Sequence, residues 1–344
     1  MQRAIKSPRL AAWLLILALL MTLSVALTQG AMSLSVWQVY GVLSGLLDDA
    51  QAALVVIDIR LPRVVLGTVV GAGLAIAGAA MQGLFRNPLA DPGLVGVSSG
   101  AALAAVMVIV LGGSYLKQWV VLWGYFALPL AAFIGGILVT ALIYRVATRD
   151  GRTDVAIMLL AGVAINAIAG AATGIMTYYA SDEELRTLTF WSMGSLASAS
   201  WVDVAMSGAP ILLACGLLPF YSRTLNAFLM GESVSTHMGF DVKHMKAIVI
   251  ALTALAVGAA VAVSGVIGFV GLVAPHLVRL LTGPDHRWVL PLSAVMGALL
   301  VVTSDIFARL LIAPAELPIG LMMASIGGPF FLWLLLQQRA RVGF

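Results

Sequence analysis

The chain has 344 residues, of which 61% are hydrophobic and only 10% charged, with a formal net charge of +4. A water-soluble domain carries roughly 25% charged residues to wet its surface, so most of this surface meets lipid. The basic residues stand singly between apolar runs, which argues against a nucleic-acid-binding face, and a lone cysteine, Cys215, excludes an intrachain disulfide and a cysteine-based metal cluster.

Crossing the hydrocarbon as helix takes about 20 apolar residues with every backbone group bonded internally. The first candidate span covers about 10–29, behind Arg3, Lys6 and Arg9. A secretion signal also has a basic start, but its apolar core is usually about 7–15 residues; this longer run reads as a retained helix. The second span, 62–85, is crowded with Gly67, Gly71, Gly73 and Gly78, the small residues that let helices approach closely in lipid. After it comes GLFRNPLADPGLVGVSSG, a rigid non-helical turn in which Asn87 and Asp91 can cap neighbouring backbone.

Spans at 93–112 and 120–145 follow, then the charged turn RVATRDGRTD, which reads as a topology anchor. The fifth span, 154–179, carries Gly162, Gly170 and Gly174, and the sixth covers 202–222. The stretch 223–246, RTLNAFLMGESVSTHMGFDVKHMK, mixes polar residues with Leu229, Met230, Val234, Met238 and Phe240. Such a pattern suits short amphipathic helices that dock on a partner, or a loop folded back on its own bundle. Spans at 245–264, 288–311 and 317–337 are clear, whereas 268–281, with Gly265, Gly268, Gly271 and Pro275 in and around it, reads as a short or broken helix.

Counting that short helix gives ten crossings and puts both termini in the cytoplasm. Of the 19 lysines and arginines, all but Arg60, Arg63, Lys117, Arg186 and Arg309 then face inward, as the positive-inside rule asks. The exceptions Arg60, Arg63 and Arg309 suit either an acidic partner or lipid headgroups.

No Gly-x-x-x-x-Gly-Lys-Ser/Thr loop is present, so ATP is not cradled in the usual way. A gradient-driven carrier needs ionisable groups near the bilayer centre. Asp305 lies 17 residues past Trp288, roughly 26 Å along a helix and close to the outer surface, and four residues before Arg309, with which it can pair. Asn166 cannot ionise and suits a helix–helix hydrogen bond. His276 reads as structural, and no metal-ligand cluster or nucleophile–base pair is apparent, so an enzyme is disfavoured.

RLPR before a glycine-rich helix, then LFRNPLADPGLVGVSSGAAL, GFVGLVAPHLVRLL and AELPIGLMMASIGGPFFLWLLL closely resemble the permease family that imports iron-siderophores, haem and cobalamin, over about 54–337. Among its members the chain is most similar to haem permease subunits of Gram-negative bacteria. The resemblance implies an all-α, polytopic fold of the type II ABC importer permease kind, one transmembrane domain over 1–344, in the bacterial inner membrane. It implies a homodimer with the pathway on its axis, two ATP-binding subunits below, a periplasmic substrate-binding protein above, and no cofactor on this chain, since the partner uses the ATP.

Carried over by motif, the 223–246 loop couples to the ATPase through Gly231, Glu232, Ser235, His237, Met238 and Gly239. Ser235 stands where a small Ala is usual, Met238 where Leu is, and His237 is atypical. Arg60, Arg63 and Arg309 match positions that grip the binding protein. Asn87, Leu89, Val155 and Ala156 match a cytoplasmic gate. Met176, Tyr178, Tyr179, Met322 and Met323 are candidates for the path lining, since Met and Tyr can ligate haem iron, or are adaptable apolar filler. A ferric siderophore or cobalamin is the alternative cargo.

Overall fold

The computed structural model describes residues 7–30, 32–149 and 152–342; Arg3 and Lys6 lie outside them. Helix α1, Pro8–Thr28, starts on the Ser7 hydroxyl, which accepts from the Leu10 amide. The chain then builds a cap that hydropathy does not reveal: α2, Val36–Leu43, α3, Ala50–Ala53, and a π-helix, Leu54–Arg60, running unbroken into α4, Leu61–Leu84. Ser35 and Asp49 cap the two short helices, and Val39, Val42, Ala52 and Val56 close around Leu34. These pieces are too short to register as spans.

In order follow α5 (Val97–Leu111), α6 (Lys117–Trp123), α7 (Ala127–Ala147), the antiparallel hairpin β1–β2 (Thr148–Arg149, Arg152–Thr153), α8 (Val155–Tyr179), α9 (Asp182–Met193), α10 (Trp201–Leu217), α11 (Ser222–Phe228), α12 (Glu232–His237), α13 (Val242–Ser264), α14 (Val270–Thr282), α15 (His286–Leu310) and α16 (Ile319–Val342). Among the described residues, 7 stretches are long and apolar enough to cross a membrane, and three shorter apolar helices cover 97–111, 270–282 and 319–334. They correspond one for one to the ten expected spans. The fourth departs from a single helix: Gly124, at φ +48°, separates α6 from α7. The polar α9, capped by Ser181 with Glu184, carries too many charges to be read as a span.

Helix α4 is the hub, packed on α10, α13, α14 and α15. Close approach there demands glycine, because a Cβ on Gly71 would collide with the Gly297 carbonyl and one on Gly78 with that of Gly271. In α8 the result is mixed. Gly162 meets the Leu94 carbonyl in the same way, but Gly170 and Gly174 face open space. Between α13 and α14 the backbone is irregular over 265–269, with Gly265 and Phe269 both at φ +67°; Gly265 and Ile267 are buried and Gly268 is exposed, and non-helical chain at membrane depth is tolerated only against protein or a cavity.

Contacts divide the loops between two ends of the bundle. At the capped end, Arg60 and Arg309 reach the C-terminal carbonyls of α1. At the opposite, loop-rich end, Arg86 meets Phe228, Lys246 meets the hairpin, and Asn226 meets Asp285.

Candidate coupling face, gate and substrate path

The 223–246 loop does form short helices. Gly231, at φ +118°, turns the chain from α11 into α12, and Gly239, at φ +88°, turns it out again. Both are conformations that an L side chain adopts at a cost. The helix so framed presents Val234 and Met238, 45% and 54% exposed, beside Leu229 and Met230. His237 is exposed and donates from Nδ1 to the Ser233 carbonyl, 2.7 Å, which fixes its ring on the helix surface. Glu232 pairs with Lys246 at 2.7 Å. Ser235 departs from the expected docking set: it is fully buried, its Oγ donating to the Gly231 carbonyl at 2.9 Å. It faces the bundle because α12 must bury one side, and a small residue fits there.

The positions expected to form a gate lie on two segments that touch. Asn87 Oδ1 accepts from the Leu89 amide at 2.9 Å, which holds the turn; Leu89 lines a small cavity with Leu272, Val273, His276 and Phe330. Asp91 accepts from the Gly93 amide, so both capping roles expected of this turn are present. Val155, half-buried, and Ala156, exposed, form the first turn of α8, whose N-cap Asp154 accepts from the Ala156 and Ile157 amides at 2.7 and 3.1 Å. Asn166 joins the segments. Its amide donates to the Gly93 carbonyl at 3.2 Å and its Oδ1 accepts from Ser99 at 2.5 Å, the helix–helix role expected of it.

Along the proposed path, Tyr178 and Tyr179 are 84% and 75% exposed at the end of α8, their rings edge to face with centroids 5.4 Å apart. Met176 and Met322 are half-buried. Met323 is a correction: it is 1% exposed, and Ser304 Oγ donates to its sulfur at 3.0 Å. One residue of helical rotation turns it into α15 rather than towards a path. His276 stacks edge-on against Phe330, 5.7 Å between centroids, a packing role.

The three arginines expected to grip a partner are instead buried and engaged, a second correction. Arg63 forks onto Asp305, with Nε and Nη2 at 2.9 and 2.8 Å from Oδ1, while Nη1 takes Glu316 at 2.8 Å. Arg309 Nε lies 3.2 Å from Asp305 Oδ2, an ion pair bent too far for a hydrogen bond, and Nη1 and Nη2 donate to the Gln29 and Ala26 carbonyls. Arg60 donates to the carbonyls of Leu27, Thr28 and Met32. Desolvated cations are costly without such partners; here the partners come from within the subunit, and Arg309 Nε alone is left with an ion pair and no hydrogen bond.

Sequence reasoning missed Lys246, taken only as a topology marker, and the latch of Asn226 on Asp285, 2.7 Å. A lysine four residues into an apolar helix, with a glutamate in the loop before it, was the available signal.

The FecCD transport family model matches residues 15–337. The hemin transport system permease protein HmuU of Yersinia pestis is 46% identical over 327 residues, 95% of each chain. The cobalamin import permease BtuC of Halobacterium salinarum is 43% identical over 84% of this chain and 75% of its own length, and the vitamin B12 import permease BtuC of Escherichia coli 39% over 94% and 95%. A structure described as an inward-facing metal-chelate type ABC transporter superposes with a TM-score of 0.83 at 31% identity, over 94% of this chain and 98% of that one.

Proposed function

We infer the function from one premise: the chain belongs to the FecCD transport family and is a multi-pass permease subunit of an ABC importer. We propose that its cargo is haem. The observation that carries this is the end-to-end likeness to a hemin permease at 46% identity. The exposed pair Tyr178 and Tyr179, with Met176 beside it, offers the phenol and thioether chemistry that haem iron accepts, on a helix that carries no charged residue from Val155 onward.

Two copies would place their α8 helices on the shared axis, which accounts for the open face at Gly170 and Gly174. The loop-rich end would lie in the cytosol, since the exposed Arg86, Arg145, Arg152, Arg223, Lys243 and Arg287 gather on it, as retention of basic loops predicts; with ten crossings, both termini lie there too. An ATP-binding subunit would dock on Met230, Val234 and Met238 and supply all ATP hydrolysis. Asn87, Leu89, Val155 and Ala156 would close the cytosolic mouth in the inner membrane. A periplasmic binding protein would deliver cargo to the capped end, on surface groups other than the buried arginines.

The test is haem accumulation in vesicles holding this permease, its ATPase subunit and its binding protein. Saturable, ATP-dependent uptake that excess ferric siderophore or cobalamin leaves unchanged supports haem; ATP hydrolysis with no haem inside rejects it. Cobalamin is the second reading, favoured by the 39% identity to the Escherichia coli permease along 94% of this chain, and uptake of labelled cobalamin by the same vesicles would select it.

A further inference from the structure

Lys246, in the second turn of α13, is 2% exposed, an uncommon place for an ammonium group. Its Nζ donates to both Glu232 carboxylate oxygens, 2.8 and 2.7 Å, and to the Thr153 carbonyl, 2.8 Å, so its three protons all find acceptors. Glu232 is the first residue of α12. Thr153 ends β2 and directly precedes Asp154, the N-cap of α8. No slack separates them: the hairpin strands have two residues each, and the Thr148 and Thr153 hydroxyls are 2.9 Å apart.

The same ammonium lies 5.5 Å from the centre of the Phe228 ring on α11, and the Arg86 guanidinium lies 5.1 Å from that ring. Phe228 is wholly buried. Arg86 immediately precedes Asn87 in the turn that carries Leu89. One cation and one aromatic ring therefore join the exposed loop helices to both segments read as the gate. Should α12 shift without the hairpin, Lys246 would lose an acceptor inside protein, where an uncompensated charge is strongly unfavourable. The two elements are thereby held to move together.

We propose that Lys246 is the positioning residue that couples displacement of the 223–246 loop to the first turn of α8 and, through Phe228, to the Asn87–Leu89 turn. The inference rests on the reading that an ATPase subunit docks on that loop. The variants are Lys246→Met, which keeps the stem and removes the cation, and Glu232→Gln, which weakens the pair at a half-exposed residue without altering the core. In vesicles with ATPase and binding protein, haem moved per ATP hydrolysed falls about two- to thirtyfold in Lys246→Met, the span by which mutations along a coupling route alter linkage, and less in Glu232→Gln. A ratio equal to wild type in both overturns the proposal.

A second measurement needs neither ATPase nor cargo. With Cys215 replaced by serine, spin labels at Val234→Cys and Ala156→Cys in the permease alone report one narrow separation, and adding Lys246→Met broadens it. An unchanged width overturns the proposal as well. Loss of ATPase retention by the wild-type permease on an affinity column would strike the docking reading instead, leaving the spin-label result to judge Lys246.

Discussion

Replacing Asp305 by alanine tests the reading of the capped end as an internal clamp. The carboxylate takes two donors of Arg63 at 2.8–2.9 Å and stands 3.2 Å from Arg309 Nε, with both partners under 9% exposed. Its removal leaves two buried guanidiniums facing each other, with Glu316, its side chain 36% exposed, as the remaining anion. Breaking a buried pair costs about 3–5 kcal/mol. Glu316 still holds Nη1 of Arg63, and the backbone carbonyls still hold Arg309, so the lower end applies, about 3 kcal/mol. For a chain of this size, with an unfolding entropy of about 2.1 cal/mol/K per residue, that lowers the melting temperature by roughly 4 °C. Glu316→Ala, by contrast, removes a half-exposed partner and costs about 1 kcal/mol or less. Thermal melting of both variants in one detergent measures the difference. The reasoning fails if Asp305→Ala melts with wild type, or if Glu316→Ala is the more damaging of the two.

Gly78→Ala drives a methyl group into the Gly271 carbonyl, backbone on both sides, and should cost about 1–3 kcal/mol, whereas Gly170→Ala, facing open space, should melt as wild type does. Val234→Asp with Met238→Asp should weaken ATPase retention about thirtyfold or more, as loss of a central apolar anchor does, with the permease's own melting temperature unchanged; a pull-down titration reads it. At the start of α15, the Arg287 side chain, aided by its amide and by Asn226, holds the Asp285 carboxyl down at about 2. A folded value below the unfolded one of about 3.9 means that this stabilisation is complete above about pH 4 and is lost as pH falls through about 2. Because its partner Arg287 is exposed, it is small: Asp285→Ala should cost about 1 kcal/mol at pH 7, mostly as a lost cap, and the two melting curves should converge in acid.

The ten crossings were legible because lipid imposes length and hydropathy on every span, and the short one, 268–281, announces itself by Gly265 and Pro275; the break of the fourth at Gly124 was not read from the sequence. The caps at Asn87 and Asp91 and the pairing of Asp305 with Arg309 were legible as well, being local in sequence. What escaped was long-range. Arg63 finds Asp305 across 242 residues, and nothing in RLPR says whether its guanidiniums meet water, lipid or a carboxylate. Met323 and Ser235 were misjudged because a single step around a helix separates core from surface, and composition cannot fix that phase. Lys246 was missed because a basic residue at a membrane boundary satisfies the topology rule and invites no further question.

The π-helix at Leu54–Arg60 has a consequence for how this architecture tolerates sequence change. A wide turn of this kind stores one surplus residue in an otherwise continuous rod. Deleting one residue between 54 and 59 would let the rod revert to ordinary winding with little rotation of the chain on either side, whereas the same deletion inside α4 would turn everything upstream by about 100°. Ala52 would keep its neighbours Val39 and Val42, and the small domed cluster over the capped end would keep its seat. A one-residue deletion should therefore be tolerated in this stretch and not in the helix that follows it.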